Sequence, residues 1–199
     1  MKNRYHTAEY ILNAPNISHA PDDAGVEVAF AGRSNAGKSS AINALTNQKS
    51  LARTSKTPGR TQHLVFFRVD DDTRLVDLPG YGYAKVPDKI KRQWHSMMEE
   101  YLAHRQSLQG IVLVMDIRHP LKEFDRQMLE WGQHTGLPVH VLLTKADKLK
   151  RGAGKNQLLS VKKELDHSYP NSSIQMFSSK DKVGIDDLCR ILEDWTKIS

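Results

Sequence analysis

A short run of glycine and polar residues, GRSNAGKS at positions 32–39, limits the possible folds of this chain more than any other feature. It fits the pattern G-x-x-x-x-G-K-[ST] and stands between a predicted strand, Val26–Ala31, and a predicted helix, Lys38–Asn47. Glycines let the backbone curl so that N–H groups face one centre, and the helix N-terminus adds positive potential. We predict a phosphate-binding loop, with a chance glycine-rich turn as the alternative. Lys38 can then reach the β- and γ-phosphates of a nucleotide, and the Ser39 hydroxyl can bind Mg²⁺.

The rest of the chain alternates between short apolar runs and longer segments with helical spacing. This alternation predicts a mostly parallel sheet with helices on both faces, and the Asp70–Asp72 turn predicts one antiparallel hairpin strand. We expect a three-layer α/β fold with a six-stranded sheet, formed by residues 25–199 as one domain after an N-terminal extension over residues 1–24. The further strands are predicted at Leu64–Val69, Arg74–Asp77, Ile111–Asp116, Val139–Thr144 and Ser173–Phe177, and the further helices at Asp88–Arg105, Lys122–His134, Gln157–His167 and Ile185–Ile198.

Composition excludes several other classes of protein. The 199 residues are 39% hydrophobic and 26% charged, an ordinary globular balance rather than that of a disordered tail. The longest plain apolar run, Ile111–Met115, is far short of the roughly 18 residues that a membrane span needs. The single cysteine, Cys189, cannot form an internal disulfide, which fits a reducing compartment. We expect a cytoplasmic protein with no membrane contact.

A second phosphate element follows the strand that ends at Asp77. The sequence DLPG at positions 77–80 forms a D-x-x-G element, in which Asp77 can hold Mg²⁺ through water and Gly80 can offer its N–H to a γ-phosphate. An ordinary turn is the alternative, because proline and glycine favour turns unaided. The polar loop before Leu64 contains Thr57 and Thr61, and either could close on Mg²⁺ when a γ-phosphate is present. We favour Thr61, because it lies closer to the strand.

The sequence TKAD at positions 144–147 predicts which base is bound. An ionised carboxylate at Asp147 accepts hydrogen bonds from the ring N–H and the exocyclic amine of guanine, whereas adenine offers no such donor pair. The stem of Lys145 can lie along the base, and the sequence SSK at positions 178–180 can offer a backbone N–H to the guanine oxygen. A helix N-terminus with charged flanks is the alternative for TKAD.

Taken together, the sequences GRSNAGKSS, KTPGRTQ, VDLPGYGYA, MDIRHPL and LTKADK resemble the Era-like, translation-factor-related GTPases and, within them, the EngB ribosome-assembly GTPases. The resemblance covers nearly the whole chain from about Gly25. It implies a Ras-like P-loop GTPase fold, magnesium bound by Ser39 and Thr61 besides Asp77, and catalytic roles for Lys38 and Thr61. The nucleotide would be bound by Gly32, Arg33, Ser34, Asn35, Ala36, Gly37, Lys38, Ser39, Ser40, Gly59, Arg60, Thr61, Gln62, His63, Asp77, Leu78, Pro79, Gly80, Thr144, Lys145, Ala146, Asp147, Phe177, Ser178 and Ser179.

Three positions distinguish this chain from the general GTPase pattern. Thr144 replaces the usual asparagine of N-K-x-D, and its shorter side chain predicts a modest affinity for the nucleotide. Tyr81 stands where signalling GTPases place a water-orienting glutamine, which predicts slow hydrolysis. Asn35 resembles an asparagine that binds a potassium ion in some relatives, so hydrolysis stimulated by potassium is expected. A purely structural role of Asn35 is the alternative.

The net charge of +6 favours an anionic partner. The resemblance implies that this partner is the large ribosomal subunit or its precursor, with its RNA and proteins, and that normal cell division and growth depend on the protein. Tyr81, Tyr83 and Trp94 could stack on exposed bases or pack under a loop. We expect a monomer that acts as a GTP-dependent switch; a signalling GTPase with another partner and a P-loop phosphotransferase are the alternatives. A solvated helical face is the alternative for each of three basic clusters expected near the nucleotide, which together favour RNA: Lys49, Arg53, Lys56 and Arg60; Lys85, Lys89, Lys91 and Arg92; and Lys145, Lys148, Lys150, Arg151 and Lys155.

Overall fold

The computed structural model describes residues 3–53, 63–81 and 88–197. One seven-stranded sheet has the strand order β1-β3-β4-β2-β5-β6-β7. The strands are β1 (Glu9–Ala14), β2 (Val26–Gly32), β3 (Leu64–Arg68), β4 (Thr73–Asp77), β5 (Leu108–Asp116), β6 (Val139–Thr144) and β7 (Ser172–Met176). The helices are α1 (Lys38–Leu45), α2 (Asp88–His104), α3 (Glu123–Thr135), α4 (Arg151–Ser168) and α5 (Ile185–Trp195).

The sheet buries side chains on both faces. Strands β4, β2, β5, β6 and β7 are parallel neighbours, and β3 pairs antiparallel with both β1 and β4. On β2, Val28 and Phe30 face a core that includes residues of α1 and α5, while Ala29 and Ala31 face a core that includes residues of α2, α3 and α4. Because both faces are covered, β2 is buried along its whole length. The predicted α/β class and the antiparallel hairpin are confirmed.

The predicted number of strands was too low, because β1 lies within the N-terminal segment. This strand forms the edge of the sheet, and its register with β3 is irregular between Tyr10 and Leu12. Its sequence, EYILNA, lacks the alternation of apolar and polar residues that marks a half-buried strand, and two of its apolar residues, Tyr10 and Ile11, are exposed. Helix α4 begins at Arg151 rather than at the predicted Gln157. Because Gly152 and Gly154 have low helix propensity, the sequence does not indicate a helix in this first turn.

At the amino end of β2, a buried carboxylate fastens the segment that precedes the strand. Glu27 is fully buried and accepts hydrogen bonds from Arg74, Arg105 and the Tyr101 hydroxyl. Arg105 Nη2 also donates to the carbonyl of Pro21 at 2.7 Å. These bonds join α2, β4 and the chain just before β2, at the end of the strand opposite to the GRSNAGKS loop.

Candidate nucleotide-binding site

The GRSNAGKS loop connects the carboxyl end of β2 to α1, and backbone hydrogen bonds join it to Tyr81. The Ser34 N–H donates to the Tyr81 carbonyl at 2.8 Å, and the Tyr81 N–H donates to the Gly32 carbonyl at 3.3 Å. A Cβ on Gly32 would lie 2.6 Å from the Val114 carbonyl oxygen, and Gly37 has a φ of +101°. Both positions therefore require glycine. The loop and the DLPG segment are adjacent, as the sequence predicted.

A buried ion pair joins these two segments. Lys38 Nζ contacts Asp77 Oδ1, and the two residues are 8% and 4% exposed. Ser39 is half-buried in the first turn of α1. A hydroxyl and a carboxylate are oxygen ligands of the kind that Mg²⁺ prefers, so the donors present fit this ion. Within the described ranges, no group of three or more His, Cys, Asp and Glu residues forms another candidate metal site.

Thr144, at the end of β6, contacts the GRSNAGKS loop through its side chain. Its hydroxyl, which is buried, contacts the carbonyl oxygens of Ala36 and Met115, the latter at 3.1 Å. Next to it, Lys145 Nζ donates to the Asn35 carbonyl at 2.6 Å. The short threonine side chain that replaces asparagine therefore bonds the phosphate loop directly.

Asp116, which sequence reasoning had given no role, orients Lys145. Its carboxylate contacts Lys145 Nζ at 3.0 Å and accepts hydrogen bonds from the backbone N–H, Nε and Nη2 of Arg118. Burial alone would raise the pKa of Asp116, but these hydrogen bonds and the charge of Lys145 outweigh it and keep the pKa well below its usual range. The sequence MDIRHPL at positions 115–121 was the available signal, because it places Arg118 two residues after the carboxylate.

Asp147 is fixed next to the end of β7. The Ser178 hydroxyl donates to Asp147 Oδ1 at 2.9 Å, and Lys148 Nζ lies 3.4 Å from Oδ2. Partial burial acts to raise the pKa of Asp147, but these two contacts lower it below the usual value, so the carboxylate stays ionised. The Ala146 N–H donates to the Phe177 carbonyl at 3.1 Å. The two segments predicted to contact guanine are thus brought together, with Ser179 exposed beside them.

Tyr81 points towards α3 and is buried. Its hydroxyl donates to Asp125 Oδ1 at 2.8 Å, and Asp125 Oδ2 accepts the backbone N–H of Lys122 at 3.0 Å. The tyrosine ring also lies 5.6 Å from the ring of Phe124. Burial and the Asp125 carboxylate raise the pKa of Tyr81 well above its usual value. Tyr81 therefore packs in the core in this structure and offers no face for stacking on an RNA base. Asp125 was missed from the sequence because an Asp at the start of a helix is ordinary.

Part of the predicted site falls outside the described residues. Thr57, Gly59, Arg60, Thr61 and Gln62 lie outside the described residues, as do Tyr83 and the side chain of Trp94. The backbone of Pro79 and Gly80 lies in the described DLPG segment, and His63 is exposed just before β3. The described residues therefore assemble the phosphate and base regions, whereas the switch threonine stays a prediction.

A phosphate loop, a D-x-x-G segment and a T-K-x-D segment, gathered at the carboxyl edge of a mostly parallel sheet, define the P-loop GTPase class. Comparison with known proteins agrees. A family model described as 50S ribosome-binding GTPase matches residues 27–145. The probable GTP-binding protein EngB of Edwardsiella ictaluri (strain 93-146) is 57% identical over 191 residues, which cover 96% of this chain and 88% of that protein. The chain belongs to the EngB family of GTP-binding proteins, which are GTPases.

Solved structures support the fold. The crystal structure of a probable GTP-binding protein EngB matches with a TM-score of 0.69 and 21% identity, covering 86% of this chain and 99% of that one. Era, crystallised with MgGDPNP and a fragment of 16S ribosomal RNA, matches with a TM-score of 0.68 and 21% identity, over 88% of this chain and 58% of that one. None of the helices in the described ranges is both long and apolar enough to cross a membrane.

Proposed function

We propose that this protein is a slow GTPase switch that binds the large ribosomal subunit or its precursor in the GTP form and leaves after hydrolysis. The match of residues 27–145 to a family of ribosome-binding GTPases carries the proposal. The basic net charge of +6 is consistent with an RNA-rich partner. We further propose that the protein works as a monomer in the cytoplasm and that normal cell division depends on it.

In the proposed GTP complex, Lys38 leaves Asp77 and binds the β- and γ-phosphates. The freed Asp77 carboxylate would hold Mg²⁺ through water, Ser39 and Thr61 would be its ligands, and the Gly80 N–H would bond the γ-phosphate. Asp147 accepts the two guanine donors, and Lys145 lies along the base in the orientation that Asp116 gives it. Two segments then make binding to the ribosomal particle depend on the nucleotide state. Residues near 50–62 contain Thr61, and residues near 80–92 begin at Gly80.

Slow hydrolysis follows from the position of Tyr81. Its hydroxyl is hydrogen-bonded to the buried Asp125, so this side chain cannot orient an attacking water as a glutamine does. Other groups must therefore stabilise the negative charge of the reacting phosphates, and Lys38 and Thr61 are the protein's own contributors. We propose that Asn35, which has a φ of +60° and is exposed, contributes to binding a potassium ion there. Equal hydrolysis rates in potassium and sodium would rule this out.

The alternatives are a signalling GTPase and a P-loop phosphotransferase. A phosphotransferase would need a pocket for a second substrate beside the γ-phosphate. The Asp147–Ser178 pair also favours guanine over adenine, which makes a kinase that uses ATP the weaker alternative. A signalling GTPase would share the site and differ only in its partner.

Co-sedimentation with large ribosomal subunits tests the proposal. The protein is centrifuged with mature subunits and with immature precursors in the presence of a non-hydrolysable GTP analogue, GDP or no nucleotide. We expect sedimentation only with the GTP analogue. Absence of binding in every state at low salt would contradict the ribosomal role and leave a GTPase with another partner.

A variant of the base pocket links this sedimentation to GTP. The amide of Asp147→Asn cannot accept both guanine donors but suits the extra carbonyl of xanthine, so GTP-dependent sedimentation should be lost and restored by the xanthosine analogue. Ser160→Asn, on the exposed surface of α4, is the matched control and should behave as the unchanged protein. Unaltered GTP affinity in Asp147→Asn would remove this residue from the base pocket.

A further inference from the structure

The flank of α4 that faces away from α3 carries an unusual concentration of positive charge. Between Asp147 and Glu164 the sequence contains six basic residues and no acidic residue. We define the α4 basic surface as Lys150, Arg151, Lys155 and Lys162, all of which are exposed.

Helical spacing places three of these side chains, those of Arg151, Lys155 and Lys162, on one side. Residues 151, 155 and 162 are separated by four and seven positions, so they follow one another along one stripe of the helix. Glu164, nine positions after Lys155, lies half a turn around and pairs with Arg126 of α3. Val161 and Leu165 form the buried side. The stripe from Arg151 to Lys162 is about 16 Å long.

The charges on this surface are poorly compensated. Lys162 pairs with Asp166, and the neighbouring Lys148 pairs with Asp147. Lys150, Arg151 and Lys155 take part in no ion pair within the described part of the chain. In contrast, Arg68 on β3, Arg190 on α5 and Lys197, two residues after the end of α5, are exposed basic residues that each face a carboxylate.

We infer that the α4 basic surface docks on the phosphate backbone of ribosomal RNA; this inference rests on the proposed function. Long, exposed lysine and arginine side chains suit a row of phosphates, because contacts to phosphate need charge and reach rather than a shaped pocket. A protein partner is less suited, because protein interfaces are centred on buried aromatic and apolar anchors and are depleted of lysine. Among the exposed residues of this flank, Leu159 is a large apolar side chain and is 63% exposed.

The surface also lies next to the base pocket. Arg151 begins α4 only four residues after Asp147, and the short helical turn Ala146–Lys148 connects the two. RNA bound along α4 would therefore lie beside the bound nucleotide, so that docking and nucleotide state are sensed by neighbouring segments.

The test compares two triple variants that lose the same charge. The first, Lys150→Gln with Arg151→Gln and Lys155→Gln, neutralises the residues of the α4 basic surface that have no described ion pair; the second, Arg68→Gln with Arg190→Gln and Lys197→Gln, neutralises paired residues elsewhere. Each is assayed for GTP affinity, for binding to protein-free RNA extracted from large subunits, and for sedimentation with large-subunit precursors, over a series of salt concentrations.

We expect the α4 variant to bind GTP normally but to bind the extracted RNA at least tenfold more weakly than the control variant. The slope of log affinity against log salt should fall by roughly 2, about 0.7 for each of three lost phosphate contacts. Equal RNA binding by the two variants would overturn the inference. A loss seen with precursors but not with extracted RNA would also overturn it, because the surface would then meet a ribosomal protein. If the unchanged protein binds extracted RNA through α4 but sediments with no ribosomal particle, the proposed function fails while the RNA surface stands.

Discussion

At the amino ends of the parallel strands, Glu27 accepts four hydrogen bonds from two arginines and a tyrosine, all within the protein. At the carboxyl ends, Asp77 contacts one cation, Lys38, which is itself a candidate phosphate ligand. Both carboxylates are almost fully buried. One is therefore held by several partners within the fold, and the other by a single partner, which in the proposed GTP complex binds the phosphates instead.

This difference distinguishes charged groups that maintain the fold from charged groups that are available to bind a ligand. A buried charge is tolerated only when other charges or hydrogen bonds compensate it. The Glu27 cluster is compensated permanently, so changes there should alter stability and leave binding alone. Changes to the Lys38–Asp77 pair should alter binding as well as stability, because in the proposed GTP complex its cation moves from the carboxylate to the phosphates.

Glu27→Ala should give the largest effect on stability. It removes the buried carboxylate partner of Arg105, which is itself almost fully buried and keeps only the exposed Asp23 at 3.5 Å, and breaking such a buried pair costs about 3–5 kcal/mol. Urea unfolding should show this loss, whereas GTP affinity measured on the remaining folded protein should change less than about threefold. Glu9→Ala, which removes an exposed carboxylate paired with Arg68, is the control and should cost under about 1 kcal/mol. A comparable loss in both variants would mean that burial of Glu27 has little energetic importance.

Lys38→Ala should affect binding in addition to stability, since it also leaves Asp77 buried without its cation. Loss of the buried cation should lower GTP and GDP affinity by on the order of 10²–10³-fold, the cost of removing one partner of a buried charge pair. Titration with a fluorescent guanine nucleotide measures this, and Lys49→Ala, an exposed lysine after α1, is the matched control. Retained affinity in Lys38→Ala would contradict the phosphate-loop assignment.

The sequence was most informative where one local pattern determines the structure. Strand β6 has the same bounds as predicted, Val139–Thr144, because a buried parallel strand is a continuous apolar run. The proximity of the loop and Asp77 followed from both being placed after parallel strands. Strand β1 and the role of Asp125 were not predictable in this way, because each depends on a partner distant in the chain; for Asp116 the nearby Arg118 was a signal, but its contact with Lys145 was not predictable. Thr61 stays a prediction.

His140 provides an intermediate case, a buried ionisable side chain whose hydrogen-bond partners are uncharged. Its Nδ1 lies 2.7 Å from Ser173 Oγ and its Nε2 lies 3.0 Å from Gln175 Oε1. Burial lowers its pKa to about 4, against a smaller opposing effect of the Gln175 hydrogen bond and the charge of Asp187. The unfolded chain, with an ordinary pKa near 6.5, therefore binds more protons than the folded protein between these values.

Stability should consequently be greatest above the unfolded pKa and should fall as the pH is lowered towards the folded one. The loss between about pH 7 and pH 5 is roughly 2 kcal/mol for this residue. Urea unfolding at several pH values should show a shallower dependence for His140→Gln than for the unchanged protein. The control, His134→Gln, alters an exposed histidine of α3 and should keep the original slope. Identical slopes in all three proteins would show that another group titrates.

Tyr81→Phe should have the smallest effect, and it tests which side of the comparison this residue belongs to. Tyr81 follows the D-x-x-G segment in sequence, yet its hydroxyl is bonded to Asp125 of α3, as a group that maintains the fold would be. Removing the hydroxyl leaves Asp125 with its hydrogen bond from Lys122 and should cost about 1–2 kcal/mol of stability. The single-turnover rate of GTP hydrolysis should change less than about twofold, because an aromatic ring held against Phe124 cannot reach the attacking water.

Tyr101→Phe is the matched control, since it removes a buried hydroxyl from the Glu27 cluster and should also lower stability without altering hydrolysis. A tenfold slower hydrolysis in Tyr81→Phe alone would place its hydroxyl at the γ-phosphate during the reaction, and would require the Asp125 bond to break when GTP binds.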